Sequence, residues 1–352
     1  MISFYPGPSK VYSDIPRYVQ DAYKSGVMSI NHRSSEFVEI SKTVIHLLKS
    51  KLRIPEDYTL FFTSSATECW EILAQSLISK KSYHLFNGAF GQKWYEYTKK
   101  LKPNAEGLTF SLHNPIMPSG LNIPEDTEMI CITQNETSNG TQVRNKTIAE
   151  IKKHYSEPLL AVDATSSLGG VYLDFKQADI WYASVQKCLG LPAGMALMIC
   201  SPKALQKARE IGENNHYNSL LFMMEKMKVH QTTYTPNVLG IYLMMRTLKT
   251  SPIIEAQDSL IKERYNKWVE KINQLQHFKC LITNDEVRSH TVLTVEGKTE
   301  QITSIKREAK DAGILLGNGY GNWKMTTFRI ANFPAIQRKE INRLENFLSS
   351  YY

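Results

Sequence analysis

The chain has 352 residues, and 42% of them are hydrophobic, which is enough for two domains with a sizeable core. Lysine and arginine exceed aspartate and glutamate by 8, a balance that suits anionic ligands, but dense basic runs with interleaved aromatic residues are missing, so nucleic-acid binding is a weak alternative. Five cysteines without a CxxC pattern indicate reduced thiols in a cytosolic protein rather than disulfides or a zinc site, and neither a signal peptide nor a membrane span is expected.

The first predicted elements are an extended arm and a helix that begins beside two basic residues. Prolines keep residues 4–8 from forming a helix. Apolar residues at helical spacing then predict a helix over residues 36–51, shortly after His32 and Arg33. The unpaired N–H groups and the dipole of a helix start favour an anion, so this pair is either a solvated loop or an anion site.

A second helix start is rich in small and hydroxyl residues. Residues 58–62 are a predicted strand, and the run Thr-Ser-Ser-Ala-Thr-Glu at 63–68 leads from it into a helix predicted over residues 69–79. Backbone amides and hydroxyls at such a start can cradle a phosphate, although ordinary helix caps have the same composition.

Two further strand ends carry polar or aromatic residues. A strand that begins at His84 runs into a Gly turn, where Phe90 could offer a flat apolar face to a ring, whereas Trp94 is expected to pack within the following helix. Residues 129–133 are a core strand, and the polar loop after it contains Thr137, which by itself is only a turn hydroxyl.

The most informative pair lies near the middle of the chain. Residues 158–162 read as a buried strand that leads into Asp163, and residues 180–185 as another strand that leads into Lys187 and a Gly/Pro turn. Open α/β sheets place ligand-binding groups at such strand ends. Burial lowers the pKa of a lysine and frees its amine for a Schiff base with pyridoxal phosphate (PLP), and a carboxylate keeps the pyridine nitrogen of PLP protonated. If Lys187 is considered without Asp163, the alternative interpretation is an ordinary loop lysine.

The last part of the chain reads as a smaller domain. A helix over residues 237–248, a break at Ser251-Pro252 and a second helix to about Leu275 mark the passage to it. Its predicted strands and helices are strands 279–282, 290–295 and 326–330 and helices 300–312 and 338–351. Arg329 lies in the last strand, where its planar fork calls for a carboxylate, either of a substrate or of a structural ion pair.

These motifs, in this order, resemble the class V branch of the fold type I PLP-dependent aminotransferases. The resemblance rests on D-x-x-S-S at Asp163 and S-x-Q-K-x-x-G-x-x-x-G around Lys187, and it extends from Phe4 to about Asn332. It implies an α/β fold in which a large domain, with a mostly parallel sheet flanked by helices, carries a smaller C-terminal α/β domain. The expected division is an N-terminal arm associated with the small domain, a large PLP-binding domain and the small domain, at 1–15, 16–250 and 251–352.

The resemblance also implies the role of each site residue. Lys187 and Asp163 are the implied catalytic residues. The implied cofactor-binding residues are Ala66, Thr67, Phe90, Thr137, Asp163, Gln186, Lys187, Tyr234 and Thr235. Of these, Tyr234 and Thr235 reach the PLP phosphate of a partner subunit, which implies a homodimer with shared active sites. His32, Arg33 and Arg329 are the implied substrate-binding residues, and no metal site is expected.

Within class V, the His32-Arg33 motif and N-E-T-x-x-G at 135–140 are similar to those of the phosphoserine aminotransferases. Such enzymes transfer the amino group of L-glutamate to 3-phosphohydroxypyruvate in serine biosynthesis, and the products are O-phospho-L-serine and 2-oxoglutarate. Many of these enzymes carry a second His-Arg pair shortly before the carboxylate arginine. This chain has Gly-Asn-Trp-Lys at 321–324 instead, so an alanine or serine:glyoxylate aminotransferase is the alternative. A desulfurase-type lyase is disfavoured because Phe90, not histidine, holds the ring-stacking position, and a basic binding protein without catalysis is the non-enzymatic alternative.

Overall fold

A computed structural model describes residues 1–351. Its strands are β1 (Ile2–Phe4), β2 (Thr59–Thr63), β3 (Ser82–Phe86), β4 (Glu106–Thr109), β5 (Met129–Thr133), β6 (Asn135–Glu136), β7 (Thr141–Gln142), β8 (Leu159–Asp163), β9 (Ile180–Ser184), β10 (Ala196–Cys200), β11 (Lys279–Cys280), β12 (Val292–Glu296), β13 (Ile314–Asn318) and β14 (Thr327–Ala331). Its α-helices are α1 (Ile15–Lys24), α2 (Ser35–Leu52), α3 (Ala66–Leu77), α4 (Ala89–Leu101), α5 (Asn145–His154), α6 (Pro202–Ile211), α7 (Leu220–Met227), α8 (Val238–Thr250), α9 (Ile254–Gln274), α10 (Thr299–Asp311) and α11 (Arg338–Ser349). None of these helices is long and apolar enough to cross a membrane.

A seven-stranded sheet forms the larger core, in the order β2-β10-β9-β8-β5-β3-β4. The strands from β9 to β4 are parallel, whereas β10 runs antiparallel to both β2 and β9. Strands β5, β8, β9 and β10 are buried along their whole length, which explains their continuous apolar runs. In register, Asp163 pairs with Thr133 and with Tyr182, so the carboxyl ends of β5, β8 and β9 lie side by side.

A second, five-stranded sheet has the order β1-β13-β14-β12-β11. Its core is a separate cluster in which Phe4 packs edge-to-face on Trp268 with ring centroids 5.9 Å apart. Strand β1 pairs in parallel with β13, and Ile2 lies opposite Ile314. The first residues of the chain therefore belong to the sheet built by its last hundred residues, while the expected domain bounds stay a prediction.

The α/β class expected from the sequence is confirmed, but helix α3 begins earlier than predicted. The Ser65 hydroxyl accepts a hydrogen bond from the Glu68 N–H at 3.0 Å and thereby caps the helix, so Ala66 is its first residue. The two-stranded sheet of β6 and β7 was not predicted, and in the two larger sheets strands β1, β4 and β13 are additions to the sequence-based prediction. Two of them, β1 and β4, lie at the edge of a sheet, where short strands with little alternation are common.

Candidate active site

A cavity of about 780 Å³ lies between the two sheets, at the carboxyl ends of β5, β8 and β9. The other side of the cavity is closed by residues of the second sheet and its loops. Tyr5 and Tyr320 lie in two of these loops, and Arg329 lies in strand β14. Of the site residues predicted from the sequence, those that line this cavity are Ala66, Thr67, Phe90, Thr137, Asp163, Gln186, Lys187 and Arg329. The fold thus brings together, from distant parts of the chain, most of the predicted site.

Lys187 projects into the cavity just beyond β9 and is only 7% exposed. Its Nζ donates hydrogen bonds to the hydroxyls of Thr137 at 2.7 Å and Ser166 at 2.9 Å. Burial lowers the pKa of Lys187 to about 8, although the carboxylates of Asp163 and Glu136 oppose that shift. A considerable fraction of the amine is therefore neutral near physiological pH and available as a nucleophile or base.

Asp163 ends β8 and accepts a hydrogen bond from the Thr165 N–H at 2.8 Å. Burial raises the pKa of the Asp163 carboxyl above its usual range, and the bond from the Thr165 amide offsets only part of that rise. A cationic N–H partner in the cavity would stabilise the carboxylate in its charged form. Two nearby buried acceptors, Thr165 Oγ1 and Gln186 Oε1, have no hydrogen-bond partner within residues 1–351, so the cavity is prepared for a polar ligand.

The start of α3 forms the anion-binding end of the cavity. Ala66 and Thr67 line it, and the first amide groups of a helix attract negative charge. Only part of the predicted run 63–68 is available to bind an anion. The Ser64 N–H and hydroxyl both donate to the Glu68 carboxylate, at 2.6 and 2.7 Å. With Asp163 at the other end, these groups fit a phosphorylated pyridine such as PLP.

Phe90, and not Trp94, faces the cavity. The Phe90 ring centroid lies 5.2 Å from Lys187 Nζ. Trp94 is buried elsewhere and packs edge-to-face on Tyr182 and His84, with centroid distances of 5.1 and 5.4 Å. Phe90 is therefore the side chain that can cover one face of a bound ring, and Trp94 packs in the helix as expected.

Glu136 is a buried carboxylate whose structural importance the sequence did not reveal. Its Oε2 accepts hydrogen bonds from the Phe90 and Gly91 amides, both at 3.1 Å, and its Oε1 accepts from the Ser138 amide and hydroxyl. Glu136 thereby holds the start of α4, and with it the Phe90 ring. Gly88 permits this approach, since a Cβ there would stand 2.3 Å from Glu136 Cγ. An acid three residues beyond the core strand β5 was the available signal.

Arg329 lies in β14 and reaches the same cavity from the second sheet. Its Nε donates to the Asn318 carbonyl at 2.7 Å and its Nη1 to the Thr137 carbonyl at 2.6 Å. It forms no ion pair with any carboxylate in the described part of the chain, so the structural ion pair considered above is wrong. A buried guanidinium held in place by neutral carbonyls is suited to bind a carboxylate from outside.

Four of the predicted site residues lie outside this cavity, namely His32, Arg33, Tyr234 and Thr235. Together with Gln231, we call them the loop cluster. Arg33 Nη1 donates to Gln231 Oε1 at 2.8 Å, and Thr235 Oγ1 lies 3.5 Å from His32 Nδ1. Contacts with the segment 231–235 thus hold His32 and Arg33 outside the cavity that Arg329, the third implied substrate-binding residue, lines. The roles of the loop cluster stay predictions.

The sequence is similar to aminotransferases over nearly its whole length. The profile of the aminotransferase class V family matches residues 6–323. Phosphoserine aminotransferases of Rhodococcus opacus and Corynebacterium glutamicum are 25% and 26% identical to it, over 96% of this chain and 91% of theirs.

Solved structures agree with this relationship. The crystal structure of a phosphoserine aminotransferase from Cytophaga hutchinsonii matches with a TM-score of 0.95 and 30% identity, covering 99% of this chain and 98% of that one. A PLP-bound phosphoserine aminotransferase from Trichomonas vaginalis shares the fold at a TM-score of 0.80 and 19% identity, over 98% and 99% of the two chains. The chain therefore belongs to the class V aminotransferases and is a transaminase whose cofactor is pyridoxal 5′-phosphate.

Proposed function

We propose that the chain is a phosphoserine transaminase, which transfers the amino group of L-glutamate to 3-phosphohydroxypyruvate and yields O-phospho-L-serine and 2-oxoglutarate for serine biosynthesis. The observation that carries the proposal is a single cavity that joins Lys187, Asp163 and a buried arginine, Arg329, which forms no ion pair with a carboxylate within residues 1–351. The names of the relatives that match along the whole chain support the choice of substrate.

The chain's own residues would hold the cofactor at both ends and on one face. PLP supplies a ring that withdraws electrons from the substrate's α-carbon. The Thr67 amide would bind its phosphate, together with the Ala66 amide, which here donates a long bond of 3.3 Å to the Ser184 hydroxyl. The Asp163 carboxylate would keep a proton on its ring nitrogen. Phe90, fixed by Glu136, would cover one face of the ring.

Lys187 and Arg329 would act on the amino-acid substrate. A contact of the Arg329 guanidinium with the α-carboxylate would orient the α-carbon, and the Lys187 amine would take the proton from that carbon and hold it for return. A pKa of about 8 makes the amine a suitable base near neutral pH. Thr137 and Ser166, which accept hydrogen bonds from Nζ, position the amine between transfers.

The proposal includes a homodimer in the cytoplasm. The loop cluster lies outside the cavity of its own chain, so His32, Arg33, Tyr234 and Thr235 would contribute to the cavity of a second copy. A patch of this kind, with an arginine and a histidine, would add positive charge for a doubly anionic substrate. The five free, buried cysteines are in keeping with a reducing compartment.

A single-turnover experiment tests the substrate assignment. The purified enzyme is mixed with phosphoserine, glutamate, alanine or serine, and the change in the absorbance of its cofactor is followed. The proposal predicts that phosphoserine and glutamate react fastest. If alanine or serine reacts fastest, the alternative is correct and the chain is an alanine or serine:glyoxylate aminotransferase.

A further inference from the structure

The cavity has positive charge that the steps above do not use. Its charged lining residues are four cations, Lys93, Lys187, Lys324 and Arg329, and one acid, Asp163. Lys187 and Asp163 act on the cofactor, and Arg329 is assigned to the α-carboxylate. Lys93 and Lys324 remain, and neither forms an ion pair with a carboxylate within residues 1–351. Two uncompensated lysines in one cavity favour a second anionic group on the ligand.

Lys93 is held in place by an aromatic hydroxyl rather than by an acid. It lies one helical turn after Phe90 in α4, on the same face of the helix. Its Nζ donates a hydrogen bond to the Tyr320 hydroxyl at 2.9 Å and lies 5.5 Å from the centroid of the Tyr320 ring. A phenol fixes the ammonium group but does not neutralise it, and the other two N–H donors stay available for a ligand.

Tyr320 connects this lysine to the proposed carboxylate site. The Tyr320 ring lies 5.3 Å from the Phe90 ring and 5.6 Å from Arg329 Cζ, so Lys93 and Arg329 are both within 6 Å of one ring centroid. Lys324 follows four residues later in the same loop and lines the same cavity. Lys93 and Arg329 therefore flank one ring, and a small substrate whose α-carboxylate binds Arg329 would extend toward Lys93 with its other end.

We propose that Lys93, positioned by Tyr320, and Lys324 form the subsite for the second anionic group of the substrate, either a phosphate or a distal carboxylate. This inference rests on the proposed phosphoserine transaminase function. It explains how the site distinguishes a doubly anionic amino donor from alanine. Compact ammonium groups bind either anion as point charges, so the subsite serves both partners of the reaction, phosphoserine and glutamate.

The test compares Lys93→Met and Lys324→Met with a matched control. Lys99→Met is that control, because Lys99 lies on the same helix and donates the same bond, to the Tyr95 hydroxyl at 2.9 Å, but does not line the cavity. Single-turnover reactions at constant ionic strength give the maximum rate and the concentration of half-saturation for phosphoserine, glutamate and alanine. Inorganic phosphate serves as a competing probe.

Each subsite variant is expected to raise the half-saturating concentration of phosphoserine and glutamate about tenfold, the lower end of the range for a charged contact, because both lysines are exposed. Inhibition by phosphate should weaken in parallel, whereas the effect on alanine should stay within about twofold. Lys93→Arg should restore most of the loss. Tyr320→Phe should resemble a milder Lys93→Met, since it removes the group that positions the ammonium.

Failure of the subsite and failure of the proposed function give different results. If the subsite variants affect phosphoserine and alanine equally, or no more than Lys99→Met does, the subsite is wrong, although fast reaction of the wild type with phosphoserine still supports the function. If the wild type reacts with glutamate but not with phosphoserine, the function is wrong. Loss of glutamate binding in Lys93→Met would in that case support the subsite.

Discussion

The cavity around Lys187 and the loop cluster around Arg33 differ in what fixes their side chains. Lys187 and Asp163 follow buried strands and are 7% and 5% exposed, so the register of the sheet determines where they meet. Arg33 and Thr235 are exposed, and each is held by one polar contact to another loop. The strand-end site is therefore assembled by the fold of one chain, whereas the loop cluster is held only by contacts between surface loops.

The largest effect is expected at the centre of the strand-end site. Lys187→Ala removes both the nucleophile and the base, so turnover should fall by at least about a thousandfold. Mass spectrometry after borohydride reduction should find no covalently attached cofactor. Lys203→Ala is the control, because Lys203 does not line the cavity and donates to the carbonyls of residues 156 and 157. Wild-type activity in Lys187→Ala would contradict the assignment of the site.

The burial of Lys187 also makes the stability of the cofactor-free protein depend on pH. The pKa falls from 10.5 in the unfolded chain to about 8 in the folded chain, so the folded chain binds fewer protons between these values. The free energy of unfolding should therefore rise with pH, by about 1.4 kcal/mol per unit from this group. Urea unfolding should show Lys187→Met more stable than wild type below pH 8, with a difference that shrinks toward pH 10. A difference that stays constant with pH would contradict this.

The loop cluster should affect specificity more than chemistry. Arg33→Ala should cost roughly ten- to a hundredfold with phosphoserine and much less with alanine, because only a doubly anionic donor needs the additional cation. Single-turnover kinetics with both donors measure this ratio. Arg53→Ala, at the other end of α2 and paired with Glu255, is the matched control and should change neither donor. Equal losses with phosphoserine and alanine would show that Arg33 acts on folding or assembly.

The smallest effect is expected at Glu136, which supports the strand-end site without touching the substrate. Glu136→Gln replaces an acceptor of amide bonds by a group with its own N–H donors, so α4 loses part of its cap and the protein about 2 kcal/mol of stability. Cofactor affinity should fall with it, since Phe90 is displaced. Glu96→Gln, an exposed acid on the same helix, should change neither the urea midpoint nor the cofactor affinity, and equal effects of the two changes would contradict the account.

The sequence predicted those parts of the fold that local patterns determine. The buried strands β8 and β9 read as apolar runs, and they led directly to Asp163 and Lys187. Strand β1 was not predicted because it has only three residues and its pairing partner, Ile314 opposite Ile2, lies at the other end of the chain. The role of Glu136 was missed for the same reason, since the amides it binds, of Phe90 and Gly91, belong to helix α4, about 45 residues earlier in the chain.

The loop cluster marks a different limit of sequence reasoning. The motif at His32 and Arg33 predicted an anion site, and the fold of one chain places both residues with the segment 231–235 instead of with Arg329. No pattern within a single sequence states which copy of the chain a loop serves. Whether the loop cluster serves its own cavity or that of a second copy is therefore decided by an experiment on a dimer of two different variants.

The most direct test is a heterodimer purified with two affinity tags, in which one subunit carries Lys187→Ala and the other Arg33→Ala. If the loop cluster serves the partner's cavity, one of the two sites combines an intact Lys187 with an intact Arg33, and activity with phosphoserine should recover to about half that of the wild type. A heterodimer that carries Lys187→Ala and Arg53→Ala should give the same value. If Arg33 acts within its own chain, the first heterodimer stays as inactive toward phosphoserine as Arg33→Ala itself, and the shared site is contradicted.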